Sequence, residues 1–458
     1  MGGGWKEKAR RAKRLHRPSL KNWECDGYAE KFPSLYQSIS ARENYESFIP
    51  FGNANNPDGS CSRIAVPAVL DALSTSVETF QTDYEARGIP SVLRNIPEKE
   101  GWAALPRWAD LDKLERDPDL ANYGFKVGED DDGKTLKIKL KYFMKYLREN
   151  RDDSPLYIFD SAFDDDRDAK RLLQDYKVPS YFDEDLFHLV GERRRPPYRW
   201  FLVGPERSGT TVHIDPLGTA AWNTLIYGQK RWVLFPPHVP KHIAKGKGLI
   251  RRSEDDEAVH YFDFILPRIK SRAAASDGTG DYESFACYEF TQNAGETVYI
   301  PYGWWHAVLN LTSTVGITQN FCSQRNFDIV WTKTRTGRKK MAYKWLCQLD
   351  THYPRLAERA RELNRKDGFV MKYEPEEVRK REREEERKRK ARKEAKATRR
   401  EKKRKAKLAG KKSKSASSSR ASSTSGSFGI VTTHVVGDRD SKRSRVESRA
   451  ISPDTVSS

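Results

Sequence analysis

The chain has 458 residues and a net charge of +19, from 84 Lys and Arg against 65 Asp and Glu. Its five cysteines, Cys25, Cys61, Cys287, Cys322 and Cys347, are scattered with no Cys-x-x-Cys pair. That argues against a disulfide framework or a cysteine-based zinc site and favours a reducing compartment. No apolar run approaches the ~20 residues of a membrane span, and the basic N-terminus lacks the apolar centre of a signal peptide, so no membrane association is expected.

The charge is unevenly placed. Residues 1–20 carry net +6 and residues 376–420 net +14, while residues 21–375 are nearly neutral at −2. Cationic ends on a neutral body imply an acidic partner, RNA or DNA or an acidic protein segment, without implying a nucleic-acid-binding fold. In chain order, Gly4 to Arg17 has helical potential and stops at Pro18. Asn56-Pro57-Asp58-Gly59 is a turn cluster. Leu136 to Leu140 alternates like a strand, and Tyr142 to Asn150 reads as a helix. Ala221 to Tyr227 and Lys230 to Phe235 read as a β-hairpin, joined at Gly228-Gln229 and stopped by Pro236-Pro237. Gly295 to Pro301 is a strand, Tyr302-Gly303 a turn, Trp304 to Leu311 the returning strand, and Thr314 to Phe321 another. Such short, evenly spaced strands predict a mainly β fold, a double-sheet jelly roll, with flanking helices. Lys270 to Asp281, rich in Ala, Ser and Gly, reads as a loop insertion. Arg338 to Asn364 reads as two helices around Pro354. Their apolar residues Trp345, Leu346, Leu349 and Leu356 are expected to dock on the core or on a second copy. Glu376 to Lys407 suits a solvated helix held by i,i+4 pairs. Lys411 to Ser458 is Ser-rich, polar and expected to be disordered.

Two segments carry chemistry. In Thr211-Val212-His213-Ile214-Asp215, strand alternation aims His213 and Asp215 to one side and Ile214 to the other. In Gly303-Trp304-Trp305-His306-Ala307, His306 supplies a second imidazole from a distant strand. Two imidazoles and a carboxylate are the facial set that holds Fe(II) and leaves positions open. Alone, each is an ordinary strand or core residue, and His-x-Asp is a weak signal. The flanking strands and the Gly-Trp-Trp lead strengthen it. His16, His188, His238, His242, His260, His352 and His434 lack such context. His238 and His242 have i,i+4 spacing, but no Glu lies between them and the stretch after Pro236-Pro237 reads as a loop.

The stretches Arg195-Pro196-Pro197-Tyr198-Arg199-Trp200-Phe201, Gly204-Pro205-Glu206-Arg207-Ser208-Gly209-Thr210, His213-Ile214-Asp215-Pro216-Leu217-Gly218-Thr219 and Gly303-Trp304-Trp305-His306 resemble the Jumonji-C family of bifunctional arginine demethylases and lysyl hydroxylases, once called the phosphatidylserine receptor. Asp152 to Asp160 and Asp175-Tyr176-Lys177-Val178-Pro179 match as well. The likeness runs from about Glu43 to Pro354. It departs at the Lys270 to Asp281 insertion and at the Lys/Arg-rich tail, where a serine tract is expected.

The resemblance implies a cupin-like double-stranded β-helix and an Fe(II)- and 2-oxoglutarate-dependent oxygenase that consumes O₂, with ascorbate supportive. His213, Asp215 and His306 would be metal ligands. Lys230 would meet the far carboxylate of 2-oxoglutarate by a charge-assisted hydrogen bond; without the resemblance it would be a surface lysine. The hydroxyls of Thr210 and Tyr157 join it, Asn223 and Thr318 line the same pocket, and Asn310 and Asn320 are weaker candidates. Trp304 and Trp305 are expected to pack the sheet. The implied organisation is a basic arm at 1–40, a mixed α/β part at 41–170, the catalytic jelly roll at 171–336, C-terminal helices at 337–372 and a tail at 373–458. The implied reaction is lysyl 5-hydroxylation of Lys/Arg-rich splicing factors, with histone arginine demethylation as a second activity, in the nucleus. The contrasting reading is a nucleic-acid- or chromatin-binding scaffold with an idle sheet. The intact His213, Asp215, His306 and Lys230 argue against it.

Overall fold

The computed structural model describes residues 4–17, 64–65, 67–252, 254, 257–275, 286–371, 384, 387–392 and 394–395. The turn at Asn56 to Gly59, Cys25, Cys61 and the clusters from Lys402 to the C-terminus lie outside them. The chain divides into two units, Met1–Val370 and Met371–Ser458. In the second, the described residues 387–392 and 394–395 are helical, with an i,i+4 pair between Lys388 and Glu384 at 3.2 Å.

Eight antiparallel strands make the roll: β7 (Arg199–Gly204), β8 (Gly209–His213), β9 (Ala220–Tyr227), β10 (Gln229–Phe235), β11 (Cys287–Asn293), β12 (Thr297–Ile300), β13 (Trp305–Asn310) and β14 (Thr314–Phe321). β1 (Ile64–Ala65) extends one sheet to the order β1-β11-β10-β13-β8. β2 (Ala68–Asp71), β3 (Ser91–Arg94) and β6 (Ile158–Asp160) extend the other to β2-β3-β12-β9-β14-β7-β6. A separate hairpin pairs β4 (Gly124–Glu129) with β5 (Thr135–Lys139). The resemblance to a jelly roll is thus realised strand by strand.

The expected hairpin from Ala221 to Phe235 does not exist. β9 pairs with β12 and β14 in the seven-stranded sheet, and β10 pairs with β11 and β13 in the five-stranded sheet. Gly228 turns a corner between sheets. The same holds for β12 and β13 across Tyr302-Gly303. A local turn signal reports a reversal; it cannot say which neighbour the next strand will pair with.

Alternation along each strand separates three apolar layers. Val212, Val233, Phe235, Ala307 and Leu309 face outward from the five-stranded sheet into a cover that includes the helix α3 described below. Trp222, Ile226, Phe201, Ile317 and Phe321 face outward from the seven-stranded sheet into a core with Phe80 and Phe182. There Phe182 stacks on Trp222 at 6.3 Å and on Tyr299 at 5.8 Å. Between the sheets lie Ala221, Trp232, Leu234, Phe290, Ile300 and Val308.

The helices that matter here are α1 (Gly4–His16), α2 (Leu140–Glu149), α3 (Leu266–Ala274), α4 (Phe327–Gly337), α5 (Lys339–His352) and α6 (Pro354–Lys366). Expected as a basic arm, α1 instead buries Trp5, Ala9 and Ala12, and Trp5 meets Tyr146 of α2 edge-on at 6.5 Å. A three-to-four-residue apolar stripe survives among its lysines and arginines, and that is enough to dock a short helix. The first residues of the Lys270 to Asp281 segment belong to α3, where Lys270 reaches Glu289; residues 276–281 lie outside the described set. The stretch read as a loop near His242 holds a single helical turn, Lys241–Ala244. The two helices around Pro354 are present, preceded by α4. Trp345 and Leu349 dock on the core: the Trp345 indole donates to the Leu186 carbonyl at 3.1 Å and its ring lies 4.8 Å from Phe187.

The corner at Gly228 is steric as well as conformational. Its φ is +90°, and a Cβ there would overlap the carbonyl oxygen of Ser313. Gly228→Ala is expected to destabilise the protein by about 2–4 kcal/mol, read as a lower urea midpoint at unchanged m-value.

Candidate metal centre

β8 and β13 are neighbours, and His213 pairs directly with His306 across them, next to a register shift between His306 and Val308. Their rings lie 4.2 Å apart at 55°. Asp215 follows β8 by two residues, on the same side, while Ile214 packs on the outer layer. Asp215 Oδ1 is 3.9 Å from His306 Nε2, beyond hydrogen-bond reach. One ligand atom from each of the three residues lies within 4.8 Å of the other two. Atoms bound at ~2.0–2.2 Å to a common ion stand roughly 3–4 Å apart, so the trio leaves room for an ion at its centre.

Each imidazole is oriented from behind. His213 Nδ1 lies 2.8 Å from the Thr211 carbonyl and His306 Nδ1 3.1 Å from the Trp304 carbonyl. A carbonyl partner selects the Nδ1–H tautomer and leaves Nε2 a lone pair for the cavity. Burial, and then the neighbouring His213, push the His306 pKa down to about 4. The ring is therefore neutral, as a ligand must be. Asp215 Oδ2 is buried and has no hydrogen-bond partner among the described residues. A buried carboxylate oxygen without a donor is costly, and a cation is the partner that removes the cost. The three residues fit a divalent transition-metal ion with nitrogen and oxygen ligands.

A cavity of about 210 Å³ opens from this trio into the space between the sheets. It is lined by Tyr157, Thr210, His213, Asp215, Asn223, Lys230, His306 and Thr318, so the structure brings all eight residues singled out in the sequence to one place. Thr210 lies opposite Val308 on β13, and Thr318 opposite Asn223 between β14 and β9. Asn320 lines the cavity too, donating to Thr219 at 3.0 Å. Asn310 instead stands behind Tyr157 and donates to it and to Ser208 Oγ, the latter at 2.8 Å. Trp304 and Trp305 pack the fold, their indoles donating to the Gly88 and Val239 carbonyls.

Lys230 is the least ordinary of these. It is 1 % exposed, and its hydrogen bond is to a neutral amide, Asn223 Oδ1, at 3.4 Å. Burial pushes its pKa down to about 7. A buried ammonium without an anion calls for one. Its strand neighbour Arg231 points out of the opposite face, where it pairs with Glu289, a carboxylate it shares with Lys270. Among the described residues Lys230 has no anionic partner.

Among the lining residues that the sequence reading did not single out are Phe159 and Trp200. The rings of Phe159 and Trp200 lie 5.5 Å apart, half-buried, on the wall facing the imidazoles. Both stood inside the quoted motifs. What no motif shows is that β6 and β7 pair there, Phe159 opposite Leu202.

The fold and this cavity define a cupin-like jelly roll with a two-histidine, one-carboxylate metal site. The family model described as "JmjC domain, hydroxylase" matches residues 200–321. The chain is 38% identical over 351 residues to the bifunctional arginine demethylase and lysyl-hydroxylase psr-1 of Caenorhabditis elegans, covering 76% of this chain and 78% of that one. It is 39% identical over 338 residues to psr-1 of Caenorhabditis briggsae, covering 73% and 75%. The 2-oxoglutarate and iron-dependent oxygenase JMJD4 homolog of Drosophila melanogaster is 29% identical over 165 residues, 36% of this chain and 34% of that one. The chain belongs to the JmjC-domain family of bifunctional arginine demethylases and lysyl-hydroxylases, which are iron- and 2-oxoglutarate-dependent oxygenases.

Lys230 makes a prediction about stability. Its folded-state pKa of about 7 lies below the ordinary 10.5, so the unfolded chain binds the extra proton between those values. The penalty is full below pH 7 and fades as pH rises toward 10.5. Lys230→Met is expected to stabilise the ligand-free protein near neutral pH by about 1–4 kcal/mol, a gain that shrinks in alkaline buffer. It should also abolish thermal stabilisation by added 2-oxoglutarate. Urea unfolding across pH and melting with 2-oxoglutarate measure the two halves.

Proposed function

We propose that this chain is a protein lysyl hydroxylase in which His213, Asp215 and His306 hold Fe(II) and Lys230 receives the far carboxylate of 2-oxoglutarate. The observation that carries this is the pairing, in one cavity, of a metal-ready trio with a buried lysine that lacks an anion. The Thr210 and Tyr157 hydroxyls add hydrogen bonds to that carboxylate, and Asn223 and Thr318 shape the pocket around it. Bound iron, with 2-oxoglutarate and O₂, supplies an oxidant that hydroxylates a C–H bond as 2-oxoglutarate leaves as succinate and CO₂. The chain itself orients the imidazoles, neutralises the cosubstrate and keeps water from the interior.

The substrate assignment is supported by the names of the nematode relatives, lysyl-hydroxylase and arginine demethylase. The rings of Phe159 and Trp200 stand where a substrate side chain enters, and Asp215 is the one carboxylate among the lining residues. Apolar stacking and cation–π attraction suit the alkyl stem and charged head of lysine or arginine. Hydroxylation of a lysine carbon and of an N-methyl group differ only in which C–H is presented, so demethylation of methyl-arginine is a second outcome of the same chemistry. The macromolecular substrates we propose are Lys/Arg-rich nuclear proteins, splicing factors and histones among them.

Incubating such peptides with Fe(II), 2-oxoglutarate and ascorbate, then fragmenting them in a mass spectrometer, tests the reading. A one-oxygen gain on lysine with matching succinate is expected; succinate uncoupled from any peptide change would defeat it. Asp215→Ala is expected to lower turnover by at least about 100-fold while circular dichroism stays unchanged. Wild-type turnover in that variant would remove Asp215 from the site.

We also place the protein in the nucleus, on the strength of Lys402-Lys403-Arg404-Lys405 and Lys411-Lys412 in the second unit. Truncation after Phe369 should leave activity on a short peptide nearly unchanged. It should reduce nuclear accumulation and salt-sensitive RNA retention, scored by imaging and filter binding.

A further inference from the structure

The basic residues of α1 are not all spent on solvent. Lys13 forms an ion pair with the fully buried carboxylate of Asp152. The Tyr146 hydroxyl on α2 donates to the same oxygen at 2.5 Å and accepts from the Leu156 backbone N–H at 2.9 Å. Arg17 donates to Ser154 Oγ at 2.9 Å and pairs with Glu257 at 2.7 Å; Ser154 Oγ in turn donates to Glu257 at 2.5 Å. Arg207, held at φ +69° and 5 % exposed, donates from Nε to the Asp152 carbonyl at 2.9 Å. The backbone of Arg207 and Ser208 is tied to Asn310, N–H to carbonyl, at 2.8 Å in both directions. Asn310 then donates from its side-chain amide to the Tyr157 hydroxyl.

Residues 152–156 are thus fastened from both sides, and the next residue is Tyr157, whose ring lines the cavity. With the Asn310 amide donating to its oxygen, Tyr157 keeps its own O–H to offer inward. A hydroxyl that must meet a carboxylate oxygen works only if its backbone does not drift. Nothing in strand pairing secures it, because Tyr157 precedes β6.

We propose that α1 is a positioning element of the cosubstrate pocket: Lys13 through Asp152, and Arg17 through Ser154, hold the segment that presents the Tyr157 hydroxyl. This rests on the reading that Tyr157 meets 2-oxoglutarate, and it assigns the N-terminal charge an intramolecular task distinct from nucleic-acid binding.

The test uses the full-length chain and equilibrium binding of 2-oxoglutarate to the Fe(II)-loaded protein without oxygen, followed by calorimetry, beside steady-state kinetics and melting. Lys13→Met and Arg17→Gln should each weaken 2-oxoglutarate binding about fivefold, one hydrogen bond's worth, with kcat and iron affinity within about twofold. Lys13→Arg should restore binding, and Arg14→Gln, exposed on the same helix, should leave it alone. Arg17, whose partner is about a fifth exposed, keeps the test open if Lys13→Met folds poorly. Tyr157→Phe should itself weaken binding, and Lys13→Met should add nothing on that background. Unchanged binding in both α1 variants, equal weakening in Arg14→Gln, or additivity with Tyr157→Phe overturns the proposal. If Tyr157→Phe alone leaves binding intact, the pocket reading of Tyr157 is what fails.

Discussion

An ammonium group shut away from water governs the interior of this protein. Lys230 sits between two β-sheets, where apolar side chains would ordinarily meet. Its burial costs stability and its one amide contact does little to offset that. The same strand shows the alternative one residue on. Arg231 leaves the opposite face and pairs with Glu289. Along β10, charge on the outside meets an anion within the chain, and charge on the inside meets only an amide. Under the proposed function that asymmetry favours an anionic cosubstrate, since a neutral competitor would leave the ammonium unpaired.

The metal trio shows the complementary economy. His306 and His213 are tuned by carbonyls from their own strand neighbourhoods, two residues away in each case. Orientation therefore comes with the strand itself and needs no further side chain. Asp215 is the exception. It lies just past the end of β8, with one oxygen buried and unsatisfied. It is the member of the trio with most to gain from a cation.

How far the sequence could be read divides along a physical line. His213, Asp215 and His306 were legible because period-two alternation and a short motif place them on one face. Strand positions were legible for the same reason. Partners were not: the reversal at Gly228 looks identical whether the next strand returns beside the last or crosses to the other sheet. Lys230 shows the cost of that ambiguity. As a residue type it reads as a surface lysine, and only family resemblance put it inside. Phe159 and Trp200 could not be paired from sequence, because β6 joins β7 across about forty intervening residues, as Phe159 opposite Leu202 shows. α1 was legible as a helix, but its docking was not, for a compositional reason. Three small or aromatic residues among six lysines and arginines, Trp5, Ala9 and Ala12, suffice to dock it.

The pairing of β8 with β13 has one more consequence. Those strands lie far apart in the chain, and between them the roll crosses from one sheet to the other four times. The three ligand atoms meet only when the whole roll has closed, so the unfolded chain offers iron no comparable site. An ion and a dicarboxylate that bind only the closed state draw the folding equilibrium toward it by mass action. The working life of the protein is then tied to the supply of the small molecules it consumes. A cell short of iron or of 2-oxoglutarate would hold this protein closer to its melting point, and nearer to degradation, before any question of turnover arises.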